Sequence, residues 1–345
     1  MVPSRELMGR YTPCAMLVVA ALSSSCGALG APARGDRDLP SSLFGGYASV
    51  AGPSSPTGSS ALASADDGQF DEPSVIVGGD RKRLLFVTHR TSDGRTRIAR
   101  LVERMPDQLR FEGLQTVLEP MLPWEGAAVS APSVLSLDGV VWLAYEANGA
   151  IGVARSTDGL RFEREPEPVL RPDASRGEGA TLSGPSITRL PDGTFALAYA
   201  SGAKLFLARA QRPNGPWTRV GSGPIATPRT LDDGGVEELA DPAIIVDTTP
   251  AGRSLVVIAA TVRTDARTPT AIYGFASFDA TGDQPMFSRS ERPLYTERSA
   301  SVFAGCFDRV DPRTTLLWIG RTDSGRRVVG ALITPGGQRA GNPLQ

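Results

Sequence analysis

The sequence predicts an all-β chain folded as a five-bladed β-propeller, on three observations. From Asp71 onward one opening recurs, as "DEPSVIV", "SAPSVLSL", "SGPSITRL" and "ADPAIIVD", with Pro73, Pro132, Pro185 and Pro242 spaced 59, 53 and 57 residues apart. Each opening leads through turn residues into further short apolar or β-branched runs, and no stretch carries a long helical period. Repeats of about 50 residues with about four strands each are the pattern of propeller blades. A β-sandwich is the all-β rival, but two packed sheets give no reason to repeat an x-Pro-[Ser/Ala]-aliphatic step at a steady period.

Each repeat can be justified in turn. In the first, Gly78-Gly79-Asp80 turns "DEPSVIV" into "RLLFVTHR", and "TRIARLVE" follows. In the second, Asp138-Gly139 joins "SAPSVLSL" to "VVWLAYEA", followed by "AIGVARST" and "GLRFERE". The third turns at Pro191-Asp192-Gly193 into "TFALAYAS", then "KLFLARAQ" and "GPWTRV". In the fourth, Pro250-Ala251-Gly252 leads to "SLVVIAAT" and "AIYGFASF". A fifth, weaker repeat opens near Ser301 in "SASVFAGCF", turns at Asp311-Pro312 and continues as "TLLWIGRT" and "RVVGALIT". Gly, Asp and Pro between such runs are hairpin chemistry.

The propeller is expected over residues 67–338, with 339–345 as a tail. Residues 27–66, rich in Ala, Gly, Ser and Pro as in "SVAGPSSPTGSSALAS", read as a flexible tether. Before it, Arg5 and Arg10 precede the apolar run Ala15–Leu22 and the small residues that lead to Cys26. A charged start, an apolar run too short to span a bilayer and small residues at its end describe a signal peptide over 1–26, and hence export. The segment also resembles a bacterial lipoprotein signal, which implies acylation of Cys26 and a lipid anchor at the outer membrane or cell surface as the only membrane contact. Ser23 departs from that motif, and cleavage near Ala28 to Ala31 would instead give a periplasmic or secreted protein.

Charge and rare residues narrow the chemistry. With 36 Lys and Arg against 37 Asp and Glu, interleaved rather than clustered, nothing calls for nucleic acid as a partner. A monomer is expected. With Cys14 in the signal and Cys26 acylated, Cys306 has no disulfide partner, so packing must stabilise the chain. One His, His89, beside one remaining Cys argues against a Cys/His metal cluster and against a Ser-His-Asp triad. No cofactor is expected, and a channel Ca²⁺ is not readable from these residues.

The openings "DEPSV", "SAPSV", "SGPSI" and "ADPAI", with "ARSTDGLRF" at Ala154 to Phe162 and "ARAQRPNGPW" at Ala208 to Trp217, resemble the five-bladed glycoside hydrolases of family 43 and their relatives of families 32, 62 and 68. The resemblance runs from about Asp71 to Pro335. It implies carbohydrate as partner and three inner-strand carboxylates: an Asp base in the first blade, a second Asp that tunes and orients, and a Glu acid, often within Glu-Gly-Pro. Asp71 matches the base, and Asp241, next to Pro242, matches an Asp-Pro site. Where Glu-Gly-Pro might stand the chain has Ser183-Gly184-Pro185, so the acid is not evident.

In a propeller the inner strands begin on the face where the second strands end, so both sets of residues meet around one mouth. Openings place Asp71, Glu72, Ser183 and Asp241 there. Second-strand ends add His89, Arg90, Tyr145, Glu146, Arg263 and Arg321. Glycoside hydrolysis needs one protonated carboxyl and one carboxylate that activates water. Asp71 and Asp241 fit base and orienter, with Glu146 or Glu178, in the loop "RGEGATLSGP", as acid. Glu72, His89, Arg90, Tyr145, Ser183, Arg263 and Arg321 are candidates for holding substrate. Trp124, in the loop "EPMLPWEGAAVSAP", is a candidate stacking platform, whereas Trp142, Trp217 and Trp318 lie in strand patterns and read as packing. Two functions stay open: an exported glycoside hydrolase, and an inactive propeller that binds a glycan or a protein through the same mouth.

Overall fold

The computed structural model describes residues 48–49, 63 and 68–334, apart from 249–251, 265–269, 281, 283–284, 299, 312–313 and 324. These residues form five antiparallel sheets arranged as a propeller. Blade one comprises Gly68–Val77, Arg83–Thr91, Thr96–Glu103 and Phe111–Leu118, from the innermost strand outward. Blade two comprises Ser130–Leu137, Val140–Ala147, Ala150–Ser156 and Glu163–Arg164, and blade three Ser183–Arg189, Phe195–Ser201, Lys204–Ala210 and Thr218–Arg219. Glu238–Thr248, Ser254–Arg263, Ala271–Ser277 and Ser288–Arg289 make blade four, with Tyr295–Thr296 also paired to its third strand. The all-β, five-bladed prediction is therefore the fold observed.

Blade five closes the ring by a route the repeats do not reveal. Its inner three strands are Val302–Arg309, Thr315–Asp323 and Arg326–Ile333, and its outermost strand is Ala48–Ser49, with Ala48 opposite Ile333 and Ser49 opposite Leu332. Ala63 also pairs with Val329 through both backbone groups, at 3.4 and 3.0 Å. These residues fall inside the stretch whose composition suggested a tether. The chain ahead of the first blade thus finishes the last one, which covers an edge that would otherwise stay open. Residues 1–26, including Cys26, and 339–345 lie outside the described residues.

The second strands are buried on both faces, which explains their continuous apolar runs. Leu85 and Val87 join Trp318, Leu316 and Phe70 at the seam between blades five and one. Phe86, between them in sequence, faces Ile98, Val134 and Leu143 at the seam between blades one and two. Trp318 is fully buried against Phe111, Trp217 is buried and Trp142 packs against the seam of blades two and three, so all three serve the core as expected.

The recurring Pro-Ser step has a structural explanation. Inner strands splay apart around the axis, so their buried N–H groups need acceptors other than a neighbouring strand. Ser74 accepts from Val134 N–H (3.0 Å), Ser133 from Ile187 N–H (2.9 Å) and Ser186 from Ile244 N–H (3.0 Å), each bond reaching from one blade to the next. Blade four has Ala243 at this place, and Thr261 of its second strand accepts Ala304 N–H instead (3.0 Å). Cys306 completes the circuit, its Sγ accepting Val75 N–H at 3.2 Å. Burial pushes its thiol up to about 12, so it remains a neutral hydrogen-bonding sulfur.

Candidate functional site

Every inner strand breaks register at one level: between Asp71 and Ser74, Ser130 and Ser133, Ser183 and Ser186, Ala240 and Ala243, and Ala304 and Cys306. At these bulges the residue before proline takes the left-handed region, with φ of 49° at Glu72, 49° at Ala131, 56° at Gly184 and 46° at Asp241. Non-glycine residues hold that conformation only where the surroundings enforce it, and such outliers cluster at functional sites. The four residues, their prolines, Ala304 and Gly305 enclose a central cavity of about 20 Å³, room for about one water. Any ligand larger than a water would therefore have to sit above this floor, against the side chains around it.

Glu72 and Asp241 are the carboxylates carried on bulge apices. Glu72 Oε2 accepts from Thr88 Oγ1 (2.5 Å) and Ala131 N–H (3.0 Å), with the Arg90 guanidinium 3.8 Å away. Half-buried Asp241 has its carboxyl pushed up to about 7 by burial and by the negative charges of Glu72 and Asp71, against a hydrogen bond from Thr261. Glu146, at the end of the second strand of blade two, is also raised to about 7 by burial and by Glu72, while Gly184 N–H donates to it at 3.2 Å.

Asp71 belongs to the cluster but turns away from its opening. It is 5% exposed, its Oδ1 accepts Glu72 N–H at 3.0 Å and its Oδ2 meets Arg327 at 3.1 Å. Burial and Glu72 raise it to about 6, with Arg327, the Glu72 N–H and Arg90 opposing. The structure thus brings Asp71, Glu72, Glu146, Asp241 and Arg90 together. It also adds Thr88 and Arg327, which no motif singled out. Aligning the repeats on their prolines would have pointed to Glu72 over Asp71, since Glu72 and Asp241 share the column before proline.

Glu178 is not at this mouth. Its Oε1 accepts from Tyr199 Oη (2.7 Å) and Arg219 Nε (2.6 Å), and its Oε2 from Asp173 N–H (2.7 Å) and Arg219 (2.9 Å). Burial acts to raise its carboxyl, but the bonds from Arg219, Tyr199 and Asp173 outweigh it and hold the group below the usual carboxylate range. A charge fixed in this way has no proton to give, which removes the reason for naming it the acid. The arrangement recurs in blade two, where buried Glu125 takes Tyr145 Oη at 2.7 Å and Arg164 Nε at 3.2 Å. In blade four, Glu237 takes Arg289 at 2.5 Å, and the guanidinium lies 4.0 Å from the Tyr273 ring centroid.

Of the other expected substrate contacts, Tyr145, Trp124, His89 and Arg321 are engaged within the fold, whereas Arg263 is exposed and Ser183 half-buried. Tyr145 is fully buried and committed to Glu125. Trp124 stacks on Tyr145 at 5.9 Å and donates Nε1–H to Pro166 O (3.1 Å), so one face of its ring is already covered. His89 is buried edge-on to Phe70 at 5.2 Å. Arg321 pairs with Glu297 at 2.8 Å, and exposed Arg263 with Glu238 at 3.0 Å. Ser183 is half-buried and pairs through its backbone with Ala200. Among the described residues, no group of three or more His, Cys, Asp and Glu is placed to hold a metal ion.

No family model matches the sequence, and no curated protein matches it. Solved structures do match. A glycoside hydrolase superposes with a TM-score of 0.62 at 15% identity, over 84% of this chain and 92% of its own. The fold is shared. The Cellvibrio cellulosa α-L-arabinanase complexed with arabinohexaose gives 0.57 at 15% identity, over 78% of this chain and 92% of its own. A GH43_1 enzyme from Xanthomonas citri complexed with xylose gives 0.55 at 16%, over 84% and 90%. At such identities the likeness speaks for architecture, and activity has to be argued from the site.

Proposed function

We propose that this propeller is a glycoside hydrolase acting on glycans at the central mouth, with Glu72 as the base that activates water and Asp241 as the proton donor. The observation that carries the reading is the cluster at the mouth: the Glu72 carboxylate, which accepts from Thr88 and Ala131, shares the site with Asp241, whose carboxyl is raised to about 7. Acid and base catalysis at one bond requires two carboxyls at one mouth, one of them able to keep its proton. Glu146, also raised to about 7, is the second candidate acid. Arg90, exposed beside Glu72, is free to reach sugar hydroxyls. Complexes of structural neighbours with arabinohexaose and xylose support pentose-containing glycans as the first substrates to try.

The test is a screen of the purified protein on arabinan, xylan, fructan and aryl glycosides, with Glu72→Gln, Asp241→Asn and Glu146→Gln. If Asp241 is the acid, Asp241→Asn loses most on substrates with poor leaving groups, and Glu146→Gln loses less. Binding of these glycans by calorimetry with no turnover of any would replace the hydrolase with a binding propeller. Export with acylation at Cys26 belongs to the same proposal, since the glycans named are extracellular polymers. Fatty-acid labelling of cells should mark the wild type and spare Cys26→Ala, and equal labelling of both would refute the anchor.

A further inference from the structure

Arg327, on the third strand of blade five, crosses the blade five to blade one seam and meets Asp71 Oδ2 at 3.1 Å. Its guanidinium lies 3.5 Å from the Phe303 ring centroid, and its backbone N–H donates to Gln69 Oε1 at 3.2 Å. Held from both sides, this cation has a defined place rather than a solvent-averaged one. Asp71 is equally constrained. Its other oxygen accepts the N–H of Glu72, and a Cβ on residue 320 would collide with it, so Gly320 is what lets the carboxylate sit there. The Glu72 N–H that Asp71 holds belongs to the strained bulge that aims Glu72 at the mouth, with φ of 49°. Facing Asp71 are Glu72 on its own strand, Arg90 on the second strand of blade one, Arg327 on blade five and Asp241 on blade four.

We propose that Arg327 and Asp71 form a positioning pair that locks the bulge at Glu72 and so sets the direction of its carboxylate. Asp71 then does no proton transfer itself. At 5% exposure it does not reach a substrate, and both of its oxygens are committed to the pair and the bulge. The inference rests on the reading of Glu72 as the base, and two kinds of measurement keep the two claims separable.

In turnover, Arg327→Gln and Asp71→Asn each lower kcat roughly 10- to 100-fold with little change in KM, the size expected when a catalytic group is misplaced rather than removed. The double variant loses no more than the worse single one, since both break the same unit. Gly320→Ala gives a similar loss with both charges still present, and carries the test if Arg327→Gln does not fold. In carboxyl ¹³C NMR, which needs no turnover, Arg327→Gln moves the Glu72 signal and raises the Asp71 midpoint, and Arg327→Lys returns both toward the wild type. Losses that multiply in the double variant, or a Glu72 signal unmoved by Arg327→Gln and by Gly320→Ala, overturn the pair. Absence of turnover on every glycan defeats the hydrolase reading alone, and the NMR result then decides the pair.

Discussion

Glu178 and Glu72 are both carboxylates close to the start of an inner strand, and they differ in what answers their charge. Glu178 has a guanidinium, a tyrosine hydroxyl and a backbone N–H on its two oxygens, the same kind of clamp that Glu125 makes in blade two and Glu237 makes with Arg289 in blade four. Each clamp ties the loop entering a blade to the outermost strand of that blade, through Arg164, Arg219 or Arg289. Glu72 has one hydroxyl, one N–H and a guanidinium at 3.8 Å, with Asp71, Glu146 and Asp241 sharing its field. Burying carboxylates without matching cations costs stability, and among the described residues the fold accepts that cost at the mouth. The contrast separates carboxylates that hold the blades together from those left available for chemistry.

The strongest way to break this contrast is at the mouth. Glu72→Gln keeps the acceptor to Thr88 and Ala131 but removes the charge, and should lower turnover by roughly 10²–10⁴-fold with the melting temperature nearly unchanged. Loss of the fold instead would make Glu72 another structural carboxylate. Next comes the clamp: Glu178→Ala strands Arg219 and Tyr199 and should destabilise by about 3 kcal/mol in urea unfolding, with kcat retained. A Glu178→Ala protein of full stability and no activity would reverse the assignment.

pH sharpens the comparison further. Asp241 and Glu146, raised to about 7, hold protons in the folded chain that they release near 4 when unfolded. Between about pH 4 and 7 the folded state therefore binds more protons, so their contribution makes stability fall as pH rises through that window. Turnover should likewise fall above about pH 7 as the acid loses its proton. Asp241→Asn should flatten the stability slope, and a slope identical to wild type would place the raised carboxyl elsewhere. Glu178, held below its usual range, contributes with the opposite sign: its stabilisation is complete above about pH 4.5 and is lost as the medium is acidified below that.

The smallest expected effect lies in the inner-strand circuit, away from both carboxylate sets. Cys306→Ser supplies the acceptor that blades one to three already use and should change stability by less than about 1 kcal/mol, whereas Cys306→Ala leaves Val75 N–H buried without one and should cost about 1–3 kcal/mol. Equal stability of the two would deny the circuit any weight.

Much of the molecule can be read from the chain alone. The period of the Pro-Ser openings, the hairpin turns and the double-faced apolar runs determine five blades, because local turn chemistry and strand burial act over a few residues. They also place Asp71, Glu72, Asp241 and Glu146 near one mouth, since a strand's start fixes its end of the blade. Alternation could not tell which of Asp71 and Glu72 faces that mouth. The bulge before Pro73 breaks the period of two, and its left-handed turn exists only against the neighbouring blades. Nor could composition show that Ala48–Ser49 completes blade five, or that Arg327 meets Asp71 and Arg219 meets Glu178. Those pairings join residues distant along the chain, and the closed ring of blades, rather than any local pattern, brings them within reach.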